Sequence, residues 1–189
     1  MTIQVNDPFW FQGEAYYLVA YWGASFLNPS SFDIDLAGFS DDCRRGFIAT
    51  YEVTDQALFL TGLEVEASRG KPQAIQEVMP RTQTLRQNQV LLPYRKLYYR
   101  GLKVIVPFTG FVRLGKRINC FLSQKISCSI AFEVLYEFIF ESGLIVYIQD
   151  LSSENARDRA EFMATHDWSI LHQEQRNGWH LAHGIAGSA

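Results

Sequence analysis

The sequence predicts a mainly β fold of the α+β type: an antiparallel sheet built from hairpins, partly closed as a barrel or paired as a sandwich, with a C-terminal helix. Three observations predict it. Aromatic residues make up 14% of the chain, including 14 Phe and 9 Tyr, and aromatic and β-branched side chains fit a pleated surface better than a helix. Apolar positions alternate with period two in segments separated by polar turns. Past Asp150 the pattern changes to one that suits a capped helix.

The elements follow in order. Phe9–Phe11 and Ala15–Trp22 are aromatic runs separated by Gln12-Gly13-Glu14, a hairpin pattern. Asn28 to Asp42 reads as a loop, opened by Asn-Pro-Ser-Ser and kept solvated by Asp33, Asp35, Asp41 and Asp42. Arg45–Val53 alternates, with Phe47, Ala49, Tyr51 and Val53 on one face. After Thr54-Asp55-Gln56, Ala57–Val65 is expected to share a face through Phe59, Thr61, Leu63 and Val65, which makes a second hairpin. Residues 66–89 are polar and broken by Gly70, Pro72 and Pro80, so they read as a functional loop or a short helix. Gly101–Val106 and Phe108–Leu114 follow as strands, and Pro107 between them suggests an edge or bulge.

Ser129–Phe140 fits two templates. As a strand it lines up Phe132, Val134, Tyr136, Phe138 and Phe140; as a helix it lines up Glu133, Glu137 and Glu141. Its aromatic and β-branched content, with Ser142-Gly143 and Leu144–Ile148 behind it, favours a strand–turn–strand hairpin. Ser152 and Ser153 then cap a helix through Arg157–Gln175, with Ala160, Ala164, Trp168 and Leu171 on one side. The organisation expected is a β domain over residues 1–150, a helical segment packed on it over 151–178, and a flexible tail over 179–189.

Length and composition bound the rest. A chain of 189 residues with 48% apolar and 20% charged side chains suits one packed domain and argues against disorder. The start lacks the basic and apolar regions of a secretory signal. The longest apolar runs fall short of the ~20 residues a membrane helix needs. Cys43, Cys120 and Cys128 are an odd set without paired spacing, expected as buried or free thiols in a reducing compartment. A cytoplasmic protein with no membrane contact is the expectation.

The net charge of −3 conceals a segregation. From Val78 to Phe132, 55 residues contain no Asp or Glu and ten basic residues: Arg81, Arg86, Arg95, Lys96, Arg100, Lys103, Arg113, Lys116, Arg117 and Lys125. The remaining 7 basic and 20 acidic residues leave the rest of the chain at −13. In one reading, Tyr94, Arg95, Lys96, Tyr98, Tyr99 and Arg100 present cations for phosphates and rings for stacking bases. In the other, the basic strands lie beside acidic ones, with Glu52, Glu64, Glu133 and Glu137 as cross-strand partners. An isoelectric point near 5.8 weighs toward internal pairing. Opposite patches also steer protein partners.

Motifs that carry chemistry are sparse. His166, His172, His180 and His183 lack paired zinc spacing and read as surface histidines. His166-Asp167 shares a dipeptide with HD-type phosphohydrolases without the other ligands of that motif. Asp33-Ile34-Asp35 lacks the remaining oxygens of a calcium loop. No Gly-x-Ser-x-Gly, Walker A or Gly-x-Gly-x-x-Gly is present. Cys43 beside Arg44 and Arg45 is the best nucleophile candidate, because cations lower a thiol pKa, yet nothing assigns it a base. No catalytic residue, metal ligand or cofactor is assigned.

Arg45–Val65, Pro107–Leu114 and Phe132–Ser152 together resemble a group of small uncharacterised bacterial proteins. That group has an Arg-Gly-Tyr-Ile-Ala-Thr-Trp-Glu type of strand and a later hairpin of apolar strand, short turn, apolar strand and Asp. The resemblance covers about half the chain and implies no defined activity. Proteins of that type include immunity or accessory partners of toxin and defence systems. The leading expectation is therefore a non-enzymatic protein-binding module acting by complementary charge and an aromatic surface. The alternatives are nucleic-acid binding through residues 81–125 and an enzyme of unrecognised type. The candidate binding residues are Arg81, Arg86, Tyr94, Arg95, Lys96, Tyr98, Tyr99, Arg100, Lys103, Arg113, Lys116 and Arg117.

Overall fold

The first hairpin forms where two residues can take a left-handed backbone. Gln12 and Gly13 have φ of 52° and 75°, as a two-residue type I′ turn requires. They join β1 (Phe9–Phe11) to β2 (Glu14–Gly23), with Phe11 opposite Glu14. The computed structural model describes residues 7–37, 43, 45–68, 71–87, 90–118 and 129–165. In the stretch expected as a loop, Pro29–Phe32 make a 3-10 turn, and the Asn28 side chain accepts from the Ser30 amide at 3.1 Å. The chain returns as β3 (Phe47–Val53), parallel to β1, with Phe9 opposite Tyr51. A parallel neighbour needs a connection of a dozen or more residues, and the long stretch after β2 supplies it. The sheet is thus mixed and not wholly antiparallel.

β3 and β4 (Leu58–Ser68) form the second expected hairpin. Thr54 closes its turn: the hydroxyl accepts from the Gln56 and Ala57 amides at 3.2 and 3.1 Å. Ala49, Tyr51 and Val53 are buried, as the alternation predicts. The phase of β4 differs from expectation. Tyr51 lies opposite Leu60 and Thr50 opposite Gly62, so Thr61 is an extra residue, and a bulge exchanges the two faces of a strand. Leu58 and Leu60 point inward before it and Leu63, Val65 and Ala67 after it. Phe59 and Thr61 therefore do not share a face with Leu63 and Val65.

In the polar stretch 66–89, the described residues 66–68 and 71–87 form neither a free loop nor a helix. They complete β4, turn tightly at Ile75–Val78 and form β5 (Arg81–Gln87). Residues 81–84 are all exposed, so β5 is held by its backbone ladder and has no apolar alternation to betray it. Its partner is β6 (Val90–Ile105). Pro93 falls in the irregular step where the pairing jumps from Arg95 opposite Thr84 to Leu91 opposite Arg86, a place that tolerates a missing N–H. Pro107 lies past the end of β6, in the connection to β7 (Gly110–Ile118). β8 (Phe132–Glu141) and β9 (Leu144–Asp150) form the late hairpin, so the strand reading of this region holds. Ser142 and Gly143 take φ of 50° and 86° at its turn.

Among the described residues, nine strands lie in the order β5-β6-β4-β3-β1-β2-β7-β8-β9, and the sheet they form does not close into a barrel. It curls. Phe11 on β1 meets Phe138 on β8 edge-to-face at 4.9 Å, although β2 and β7 lie between those strands. Phe9, Tyr51, Phe26 and Phe108 continue the aromatic core. Backbone hydrogen bonds pin one end of the curl: Leu58 N to Gly143 O at 2.9 Å, Ile145 N to Gln56 O at 2.8 Å, Gly143 N to Phe108 O at 2.7 Å, and Val106 N to Leu58 O at 2.9 Å.

The helix α1 (Ser152–Thr165) begins at Ser152, where the sequence placed its cap. The Asp150 carboxylate accepts from the Ser152 amide at 2.8 Å. Buried Asn155 donates to the Ser129 and Phe132 carbonyls at 3.0 and 2.7 Å, and Arg159 donates to the Phe132 carbonyl at 2.6 Å. Docking is through polar side chains because the 3-10 turn Ser129–Ala131 presents carbonyls outside any ladder. Ala160 and Ala164, expected on the packed side, are exposed. Trp168, Leu171, the expected reach to Gln175 and the tail 179–189 lie outside the described residues. No helix among the described residues is long and apolar enough to cross a membrane.

Two measurements test this account. A Cβ on Gly143 would lie 2.2 Å from the Val106 carbonyl oxygen, whereas one on Gly13 meets nothing within 4 Å. Gly143→Ala is expected to lower stability by about 2–4 kcal/mol and Gly13→Ala by about 1 kcal/mol, read by urea unfolding; equal effects would refute the pinned end. Hydrogen bonds from the Ser152 hydroxyl and amide hold the Asp150 carboxyl below the ordinary aspartate value of 3.8. A depressed pKa contributes stability above that value and loses it as the pH falls through the folded pKa. The stability gap between wild type and Asp150→Asn should therefore be constant above pH 3.8 and shrink below it; a gap unchanged in acid would count against this linkage.

Candidate functional site

β6 divides its side chains between the two faces of the sheet. Leu97 and Tyr99 point into the core, while Lys96, Tyr98 and Arg100 point outward. Register places Arg81 and Gln83 of β5, and Glu64 and Glu66 of β4, beside Tyr98 and Lys96 on that outer face. Lys96 pairs with Glu66 at 3.3 Å. The Tyr98 hydroxyl donates to Gln83 Oε1 at 2.8 Å. Arg81 and Arg100 have no side-chain hydrogen bond or ion pair among the described residues. With Met79, Thr82, Gln83 and Tyr98 they line a surface recess of about 600 Å³.

The other sequence-predicted residues lie elsewhere. Arg95 and Tyr99 face the opposite side, at a second recess of about 250 Å³ shared with Asp33, Asp35 and Lys71. The Tyr99 hydroxyl donates to the Gln73 carbonyl at 2.8 Å, and burial raises its pKa. Tyr94 is half-buried opposite Ser68. Lys103 is exposed, and its amide donates to Gln76 Oε1 at 3.3 Å. Arg86 pairs through its backbone with Leu91. In the other half of the sheet, Arg113 lies opposite Glu137 and bonds it at 2.6 Å. Lys116 pairs with Glu14, which holds the Glu14 carboxyl low and the ammonium high, and it also covers the Tyr16 ring. Arg117 is exposed at φ 56°. Lys125 lies outside the described residues. The basic segment is thus distributed over two halves and both faces of the sheet, with Lys96, Arg113 and Lys116 matched to carboxylates.

Sequence reasoning missed the contrast between the two sheet edges. β5 carries Arg81 and Arg86 among polar residues. β9 has no charge from Leu144 to Gln149 and leaves Leu144 and Val146 about half exposed, at 53% and 52%. Register also assembles an outer row across four strands, Trp22–Phe111–Ile139–Tyr147. Trp22 is 72% exposed, and Ile139 and Tyr147 are exposed with it. This row ends on β9, which bonds to the Gln56–Leu58 backbone at Gly143 and Ile145 and has no further strand partner beyond β8 among the described residues. The signal in the sequence was the uncharged run itself, which period-two reading treats as half-buried.

Around the nucleophile candidate, Arg45 is already engaged, and Arg44 lies outside the described residues. Both Arg45 guanidinium nitrogens donate to the buried Asp7 carboxylate at 2.8 Å, and Asp7 also accepts from the Ala49 amide at 2.9 Å. That contact raises the Arg45 pKa. The Cys43 thiol donates to the Phe47 carbonyl at 3.1 Å. Cys120, Cys128 and the four histidines lie outside the described residues. Among the described residues, no three His, Cys, Asp or Glu side chains are grouped to hold a metal. Compared with known proteins, the chain matches no family model, no curated protein and no solved structure.

The two kinds of ion pair should separate in stability. Asp7→Ala leaves the Ala49 amide and the Arg45 fork without their acceptor and is expected to cost about 2–3 kcal/mol. Glu137→Gln, at a half-exposed pair, should cost less than about 1 kcal/mol. Urea unfolding of both variants checks this; a larger loss at Glu137 would reverse the assignment.

Proposed function

We propose that this chain is a non-enzymatic protein-binding module that takes its partner along the β9 edge and the adjoining outer row. The observation that carries the reading is an edge strand without charge from Leu144 to Gln149 and, past its bonds to Gln56–Leu58 at Gly143 and Ile145, without a strand partner beyond β8 among the described residues. Edge strands present a line of free N–H and C=O groups, and soluble proteins blunt them with charge, proline or covering elements. β5 follows that rule and β9 does not. An extended partner segment added to β9 would gain main-chain hydrogen bonds and cover the apolar row, whose contiguity exceeds scattered surface apolar residues.

The concrete form proposed is an immunity-like or accessory component of a bacterial toxin or defence system, supported by the resemblance of Arg45–Val65 and the late hairpin. Nucleic-acid binding through residues 81–125 draws less support. Phosphate contacts need several available cations on one surface, and here they divide between faces while three are matched to carboxylates.

Co-purification from the native host with mass spectrometry tests the proposal when paired with an edge variant. Wild type is expected to retain a defined partner. Tyr147→Lys, which puts a charge on the edge, should weaken retention at least about tenfold with an unchanged melting temperature. A strictly monomeric protein without a partner under any condition, or retention indifferent to Tyr147→Lys, would overturn it.

A further inference from the structure

On the outer face of β5 and β6, far along the sheet from β9, two arginines remain without partners in a chain of net negative charge. Arg81 lies opposite Tyr98, and Arg100 is two residues further along β6 on the same face. They are therefore diagonal cross-strand neighbours, with Cα atoms about 7–8 Å apart. Both border the recess of about 600 Å³, whose lining holds no carboxylate among the described residues. On the side of Arg81 away from Arg100, Gln83 spends its carbonyl oxygen on the Tyr98 hydroxyl at 2.8 Å, so the group it can offer a ligand is its NH2. Two guanidiniums and an amide NH2 make a lining of hydrogen-bond donors. A ligand that fits it is an acceptor, and an anionic one.

We infer that this recess binds an extended acidic segment of a partner protein, with carboxylates at alternate positions. Residues i and i+2 of an extended chain project from the same face about 6.6–6.8 Å apart, which matches the diagonal between Arg81 and Arg100. Each guanidinium then takes one carboxylate in a fork, and Met79, 61% exposed at the rim, covers the intervening apolar part of the segment. Nucleic acid suits the recess less well. Glu64 and Glu66 lie beside Tyr98 and Lys96 on β4, so a phosphate chain crossing the face would meet carboxylates, while a short acidic segment confined to β5 and β6 would not. This inference rests on the protein-binding reading and adds a second contact to the one proposed at β9.

Fluorescence anisotropy with a labelled glycine–serine peptide carrying glutamate at alternate positions tests it directly. Two comparison probes are a peptide of equal charge with its glutamates adjacent, and an oligothymidylate of the same length. The alternate-glutamate peptide is expected to bind tightest and to weaken with salt. Arg81→Gln and Arg100→Gln should each weaken it about tenfold, while Arg113→Gln, whose guanidinium already holds Glu137, should leave it unchanged. Equal binding of the adjacent-glutamate peptide, tighter binding of the oligothymidylate, or indifference to both arginine substitutions would overturn the inference. Such a failure alongside Tyr147-dependent partner retention would leave the β9 reading standing, so the two outcomes are separable.

Discussion

Gly143 donates to the Phe108 carbonyl and accepts from the Leu58 amide, while Ile145 and Val106 bond to Gln56 and Leu58. Through these bonds the turn before β4, the crossover from β6 to β7 and the β8–β9 turn become one unit. A long twisted sheet has no intrinsic reason to stop curling at a given radius. Here the radius is set where these backbones meet, because no Cβ fits between Gly143 and Val106. With that end held, Phe11 reaches Phe138 across two intervening strands, and the aromatic side chains that predicted a β fold become a single packed core.

The curl also decides what is left outside. Side chains that alternate inward fill the concave face, so the outward ones form rows set by register. One row runs Trp22–Phe111–Ile139–Tyr147, and another face gathers Arg81, Gln83, Tyr98 and Arg100. An open sheet must also keep two edges. The polar residues of β5 make one edge unattractive to strange strands, while β9 carries no charge from Leu144 to Gln149. The proposed partner contacts follow from this asymmetry, one apolar and one cationic.

Charge segregation along the chain turns largely into neighbourhood in the fold. Antiparallel pairing sets Arg113 against Glu137 and Lys96 against Glu66, and Lys116 finds Glu14 at the start of β2. A 55-residue stretch free of carboxylates is thus compatible with ordinary cross-strand pairing. Among the described residues, Arg81 and Arg100 are the two cations of the segment that line the recess between β5 and β6 without an ion pair.

The sequence by itself determined the hairpins β1–β2, β3–β4 and β8–β9, because period-two patterning and Gln12-Gly13 or Ser142-Gly143 turns are local signals that need no tertiary context. It also marked the change at Asp150. It did not reveal β5, whose polar residues bury nothing and which exists only because β6 offers a ladder. The phase change at Thr61 was likewise illegible, since a bulge is specified by the partner strand and not by the strand that carries it. Helix docking through Asn155 and Arg159 ran against apolar periodicity, because free carbonyls at the start of β8 call for donors. Only the tertiary structure decided which cations are matched, which strands stand at the sheet edges and which of the twelve candidate residues share a surface, because sequence separation carries no information on which strands become neighbours.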